Sequence, residues 1–162
     1  MVEQLTHLDE EGHLKMVDVG GKDRSERLAR VRGEICMASS TVRLIAENKV
    51  AKGSVLEAAR LAGIMAAKRT GELIPLCHPL NLTAVSVDFT VGEGGVEVEA
   101  AAKIDDRTGV EMEALVAAST ALLTIYDMCK GVDRGMVIGQ LRLIEKRGGQ
   151  SGTWVREEWE DS

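Results

Sequence analysis

The spacing of apolar and polar positions changes several times along the chain, and each change marks an element. Residues 1–14 are polar and read as a flexible N-terminal segment. Lys15 to Val19 (KMVDV) reads as a short strand. From Ala29 to Met37 every second residue is apolar or small, with Arg30, Arg32 and Glu34 between them, which is strand periodicity. Ser39 or Ser40 is placed to cap a short helix running to about Glu47. Lys52-Gly53-Ser54 forms a hinge into a second helix over 54–69. Ser54 and Glu57 stand at capping-box spacing. Ala58, Ala62 and Ala66 form an i, i+4 ridge of small residues along which another helix can approach closely, and Gly71 is the expected stop.

Pro75 and Pro79, the two prolines of the chain, exclude an interior helix and stiffen the loop Ile74-Pro75-Leu76-Cys77-His78-Pro79. Alternation then returns. Val85, Val87 and Phe89 are followed by a turn at Gly92–Gly95 and by Val96, Val98 and Ala100, a hairpin pattern. Asp105–Gly109 reads as a polar loop, and a long helix follows to about Lys130. Gly131–Gly135 breaks it, and Met136–Lys146 reads as a closing strand. Gly148–Gly152 is glycine-rich, and residues 153–162, with Trp154 and Trp159, form a polar C-terminal tail. Helices beside adjacent hairpin strands indicate an α+β domain over 15–152, an antiparallel sheet covered by helices.

Composition narrows this picture. The 162 residues suit one domain, and 44% hydrophobic residues suffice for a core. Aromatics are only 2%, so that core is built from Ala, Val, Leu, Ile and Met, each burying modest area. A domain of this kind gains from burying further surface between subunits. The net charge of −6 argues against a nucleic-acid binder dominated by phosphate contacts, while leaving room for a local cationic pocket. No apolar run approaches a membrane span, and the N-terminal residues lack a signal-peptide pattern. The three cysteines, Cys36, Cys77 and Cys129, are too widely spaced for a disulfide framework, so a reducing cytoplasm is expected. Cys36, Cys77, His78 and Cys129 also lack zinc-ligand spacing, and no metal ligand is assigned.

The long helix concentrates the candidate chemistry at its ends. Residues 114–126 carry no charge, which indicates burial on most sides. Glu111 and Glu113 lie near its start, and Asp127 and Lys130 close it, sharing a face at i, i+3. Acids at an N-terminus and a lysine at a C-terminus also suit the helix dipole, which is the plain alternative. Glu113 and Asp127 are 14 residues apart, about 21 Å along a straight helix. One small substrate does not reach both within one chain. A site using both must therefore lie between subunits. Lys52 precedes a helix start, where the dipole disfavours it, so a functional reason is favoured. Lys68-Arg69 fits simple complementation of a helix C-terminus, and Arg30 and Arg32 fit a solvated or interfacial strand face.

Several segments line up with one family. LTHLDEEGHLKMVDV, AGIMAAKRTGELIPLCHPL, TGVEMEAL, LTIYDMCK and MVIGQLRLIEKRGGQSG together resemble the cyclic pyranopterin monophosphate synthases of early molybdenum cofactor synthesis, over roughly residues 4–152. The resemblance implies a ferredoxin-like α+β fold and a hexamer built as a trimer of dimers. It implies conversion of (8S)-3′,8-cyclo-7,8-dihydroguanosine 5′-triphosphate to cyclic pyranopterin monophosphate with release of diphosphate. It also implies roles: Asp127, Lys130 and Lys52 as catalytic residues, and Leu76, Cys77, His78, Glu111, Met112 and Glu113 as substrate-binding ones. Arg27, Lys146 and Asp18 are further members of the binding set.

Such a reaction moves protons at several steps, which suits groups near neutral pKa. Histidine titrates there unaided, and a crowded or desolvated lysine drops toward that range. Positioned Lys and Arg neutralise a departing diphosphate, with Arg27, Lys68, Arg69 and Lys146 as candidates, and Glu111 or Glu113 accept from a guanine-derived N–H edge. No redox step is needed, so no cofactor is expected. Magnesium with the triphosphate needs no dedicated protein cage. Two other readings use the same residues: a non-catalytic nucleotide or pterin binder, and a structural subunit whose charged helix ends cap interfaces.

Overall fold

The computed structural model describes residues 7–157. The first part of the expected flexible segment and the end of the tail, Trp159 included, lie outside the described residues. The element order is β1 (Ser25–Cys36), α1 (Ser39–Ala46), α2 (Val55–Ala67), α3 (Thr70–Leu73), β2 (Ala84–Gly92), β3 (Gly95–Asp106), α4 (Glu111–Cys129), β4 (Val137–Arg147) and β5 (Trp154–Val155). The sheet order is β2-β3-β1-β4-β5, with every ladder antiparallel. Helices link β1 to β2 and β3 to β4, and a tight turn joins β2 to β3, which gives the ferredoxin-like α+β arrangement expected.

Alternation decides which face of each strand is covered. On β1, Ala29, Val31, Gly33 and Ile35 are buried beneath the helices. On β3 the matching set is Val96, Val98, Ala100, Ala102 and Ile104. The other face carries the charges. Arg32 Nε meets Glu99 at 2.9 Å, and Arg30 bonds both Glu99 and, at 3.1 Å, Glu145. Arg30 and Arg32 thus form a cross-strand ion network.

Helix α4 buries Ala114, Val116, Ala117, Ala118, Ala121, Leu122 and Ile125 against the sheet and α2. It is long and apolar enough to cross a membrane, a property the sequence reading did not expect of any segment; here it is the core helix. The ridge of small residues on α2 is displaced by one position from expectation. Val55, Ala59, Gly63 and Ala67 are buried, while Ala58, Ala62 and Ala66 are half-buried. Gly63 is the reason: a Cβ there would stand 2.9 Å from the Ala117 carbonyl oxygen, so this is where the backbones of α2 and α4 come closest.

Other expectations fail for identifiable reasons. Lys15–Val19 alternates but pairs with no strand of the sheet; the nearby pairing is an isolated bridge between Leu8 and Leu14. Neither Ser39 nor Ser40 caps α1, whose N-cap is Ala38. Instead the Asp133 carboxylate accepts from the Ala38 amide at 2.9 Å and the Thr41 hydroxyl at 3.1 Å, anchoring the first turn from another part of the chain. Ser54 is the N-cap of α2, but its side chain makes no capping bond, so the capping box does not form. Gly71 does not stop α2; Ala67 ends it, with the Thr70 hydroxyl donating to the Ala67 carbonyl, and Gly71 lies inside α3. Asp105 and Asp106 belong to β3, and Trp154–Val155 of the tail add a short edge strand to β4.

Candidate active site

The residues singled out by sequence fall into two groups at opposite ends of α4. At the C-terminal end, Lys52 from the turn before α2 reaches Asp127. Its Nζ donates to the Asp127 carbonyl oxygen at 2.8 Å and to a carboxylate oxygen at 3.3 Å. Lys130, one helical turn on, meets the other carboxylate oxygen at 2.7 Å. Asp127 is therefore bracketed by two ammonium groups. Hydrogen bonds from Lys130 and then Lys52 hold its carboxyl below the ordinary range. The same contact pushes Lys130 up, not down. The expectation of a lysine lowered toward neutrality is thus not met at Lys130, because its dominant neighbour is an anion. In this state Lys130 is an acid and a cation. All three side chains are more than half exposed in the single chain (51%, 59% and 52% for Lys52, Asp127 and Lys130). The cluster is formed but uncovered.

The second group surrounds the N-terminal end of α4. Glu113 is buried, 3% exposed. Burial pushes its carboxyl up, and the neighbouring Glu111 adds to the shift. Glu111 folds back over Gly109. Met112, between them, is half-buried. Burial likewise raises the Cys77 thiol, with Glu113 contributing, so Cys77 is a protonated thiol near a carboxylate and not an activated nucleophile. A cavity of about 550 Å³ opens beside Glu113, lined among others by Lys68, Arg69, Thr70, Glu72 and Asn81. Leu76, Cys77 and His78 are all half-buried in the proline-stiffened loop after α3. His78 Nε2 lies 2.8 Å from the Val17 carbonyl oxygen, which ties that loop to the segment bearing Asp18.

Arg27 and Lys146 stand at the same end of the sheet. Arg27 donates to the carbonyls of Asp106 and Arg107, each at 3.0 Å, and so fixes the link from β3 into α4. Its guanidinium passes so close to Gly149, at φ +74°, that a side chain there would collide with it. Lys146, opposite Ala29 of β1, bonds the Ser151 hydroxyl in the same glycine-rich turn.

Lys68 and Arg69, candidates from sequence for neutralising a leaving group with helix-dipole complementation as the plain alternative, line the cavity with Glu113. Sequence reasoning missed another part of this second group. Arg107 was not singled out at all. Its Nε is buried with no partner among the described residues, beside the carbonyl that Arg27 holds. Nothing in the spacing of DDRTG marks it.

Fold and site together define a ferredoxin-like α+β protein with acidic and cationic side chains gathered at the two ends of one core helix. The chain belongs to the MoaC family, whose family model matches residues 16–149. Similar proteins carry the name cyclic pyranopterin monophosphate synthase. The one from Novosphingobium aromaticivorans is 58% identical over 154 residues, covering 95% of this chain and 98% of the relative. Those from Desulforapulum autotrophicum and Thermomicrobium roseum are each 56% identical, over 95% and 96% of this chain and 96% and 95% of theirs.

Proposed function

We propose that this protein is a cyclic pyranopterin monophosphate synthase of molybdenum cofactor biosynthesis, a lyase acting on the 3′,8-cyclised dihydro-GTP. Its relatives at 54–58% identity bear that name over nearly their whole length. The observation that carries the reading is the Lys52–Asp127–Lys130 cluster, in which Lys52 from the turn before α2 meets the Asp127–Lys130 pair at the end of α4 through short polar contacts.

In this reading Lys130 and Lys52 present protons and positive charge to the reacting oxygens and nitrogens, and Asp127 orients both lysines. Glu111 and Glu113 accept from the N–H edge of the purine-derived ring. Arg27 and Lys146 neutralise the departing diphosphate, aided by Lys68 and Arg69. Met112, Leu76, Cys77, His78 and Asp18 complete the walls.

The two groups lie about 20 Å apart by helical rise, so a substrate touching both needs two chains. The site therefore forms between protomers, and the exposure of the lysine–aspartate cluster in one chain supports this. A hexamer made as a trimer of dimers satisfies that need. The free cysteines Cys36, Cys77 and Cys129 fit a reducing cytoplasm.

The direct test supplies the cyclised dihydro-GTP and follows diphosphate and pterin with wild type, Asp127→Ala and Lys130→Ala. Wild type turns over, and both variants assemble but do not. Full turnover by Lys130→Ala overturns the catalytic assignment. Absence of turnover by correctly assembled wild type overturns the function.

A further inference from the structure

Residues 15–24 cross the surface without joining the sheet; Lys15 bonds the His7 carbonyl at one end and Arg24 the Asp105 carbonyl at the other, each at 2.9 Å, and one contact holds the middle. Within this stretch Val17 and Val19 are half-buried and the rest are exposed. The one internal backbone bond there runs from the Lys22 amide to the Val19 carbonyl, at 3.1 Å. The His78 ring supplies a tie to the body of the protein, 2.8 Å from the Val17 carbonyl oxygen. A carbonyl only accepts, so Nε2 carries the proton and donates. One residue further, the Asp18 carboxylate accepts from the Gly20 amide at 2.8 Å, turning the chain at Gly20-Gly21. The two bonds act in series: the first fixes the backbone at Val17, and the second fixes the side chain of Asp18 relative to that backbone.

We propose that His78 is a positioning residue, a latch whose Nε2–H holds residues 15–19 against the loop after α3 and thereby sets Asp18 at the substrate. Besides lining the site, His78 acts through the segment it grips, and its Nε2 proton stays on the protein. The value of Asp18 to the site rests on the function proposed above; the latch itself does not. Proline rigidity serves this arrangement. Pro79 adjoins His78 and Pro75 lies three residues before it, so the donor is presented from a loop with little freedom. The gripped segment has no ladder of its own and depends on the donor.

Two substitutions separate the latch from direct chemistry. Glutamine places its amide nitrogen near the position of a histidine Nε2, so His78→Gln keeps the donor and removes the imidazole. His78→Ala removes both. Amide hydrogen exchange of the free protein is the first readout. The hydrogen-bonded amides of the segment, those of Lys15, Gly20 and Lys22, exchange roughly tenfold faster in His78→Ala, the worth of one net hydrogen bond, and stay near wild type in His78→Gln.

The second readout is kinetic, with Asp18→Asn, which removes charge but keeps an oxygen for the Gly20 amide. KM rises in His78→Ala and is largely restored in His78→Gln. Once the latch is gone, Asp18→Asn adds little further loss. Unchanged exchange in His78→Ala overturns the latch whatever the reaction is. So does a His78→Gln enzyme as impaired as His78→Ala with its segment still protected, or full multiplicativity between His78→Ala and Asp18→Asn. Failure of wild type to turn over the cyclised dihydro-GTP sinks the functional reading and leaves the exchange result to decide the latch.

Discussion

Lys52 grips Asp127 twice, at the backbone carbonyl and at the carboxylate, so one ammonium both closes the end of α4 and orients the acid beside it. Lys52→Met keeps the aliphatic stem and loses both bonds. Its kcat falls on the order of 10²-fold or more, with an unchanged circular dichroism spectrum. Lys52→Arg retains charge but not a compact donor and recovers only part of the rate.

The neighbouring charges fix a pH signature. Asp127 sits below its ordinary 3.8, chiefly through the Lys130 hydrogen bond. Its lowered folded value contributes stability that is present above 3.8 and lost as pH falls through the folded pKa. Lys130 sits above its ordinary 10.5, so its contribution is present below that pH and lost as pH rises through the folded value. Both groups are solvent-exposed, so these contributions are small. Between about pH 5 and pH 9 the Tm of Asp127→Asn follows that of wild type while turnover is lost. A Tm difference that opens within that window contradicts the assignment.

Glu113 behaves in the opposite way. Burial raises its carboxyl above the ordinary 4.5, so the folded state favours the protonated form. That contribution is present below pH 4.5 and lost as pH rises through the folded pKa, and the ionised group is a burden at neutral pH. Glu113→Gln therefore raises Tm by a few degrees near neutrality and abolishes turnover, and the Tm gain vanishes at acid pH. Thermal melts at several pH values check all three points.

Mixing chains tests whether the two ends of α4 serve different sites. Glu113→Ala and Asp127→Ala proteins are each inactive alone. Co-assembled by unfolding and refolding together, they recover activity, because some sites receive an intact end from each parent. No recovery in properly assembled mixtures contradicts a shared site.

Gly63→Ala probes the closest approach of α2 to α4. The added methyl meets the Ala117 carbonyl at 2.9 Å and the Val87 side chain at 3.1 Å, so the helices must part. A loss of about 1–3 kcal/mol in denaturant unfolding is expected. Turnover per folded molecule is little changed.

Much of this architecture is written in local patterns. The hairpin of β2 and β3, the central β1 and the long α4 follow from alternation, glycine turns and an uncharged helical middle, each a short-range signal. What failed depends on partners distant in sequence. Lys15–Val19 has the look of a strand but pairs with no strand of the sheet. The first turn of α1 is held by Asp133 instead of an adjacent serine, and which alanines of α2 are buried is decided by Ala117 opposite Gly63. At the site, motif resemblance located Lys52, Asp127 and Lys130, and the structure adds that they touch. It also shows Lys130 pushed up by its acidic neighbour, because spacing does not reveal which neighbour dominates a lysine. Arg107 stayed hidden because an unpartnered, buried nitrogen exists only once the chain has folded around it.

The anchoring of α1 by Asp133 has a consequence for how the chain is made. An eight-residue helix is too short to persist alone in water. The carboxylate that steadies its first turn is synthesised more than ninety residues later. On the ribosome, α1 therefore waits until α4 and the turn after it have emerged, and the amino-terminal half completes its structure only when nearly all of the protein is present.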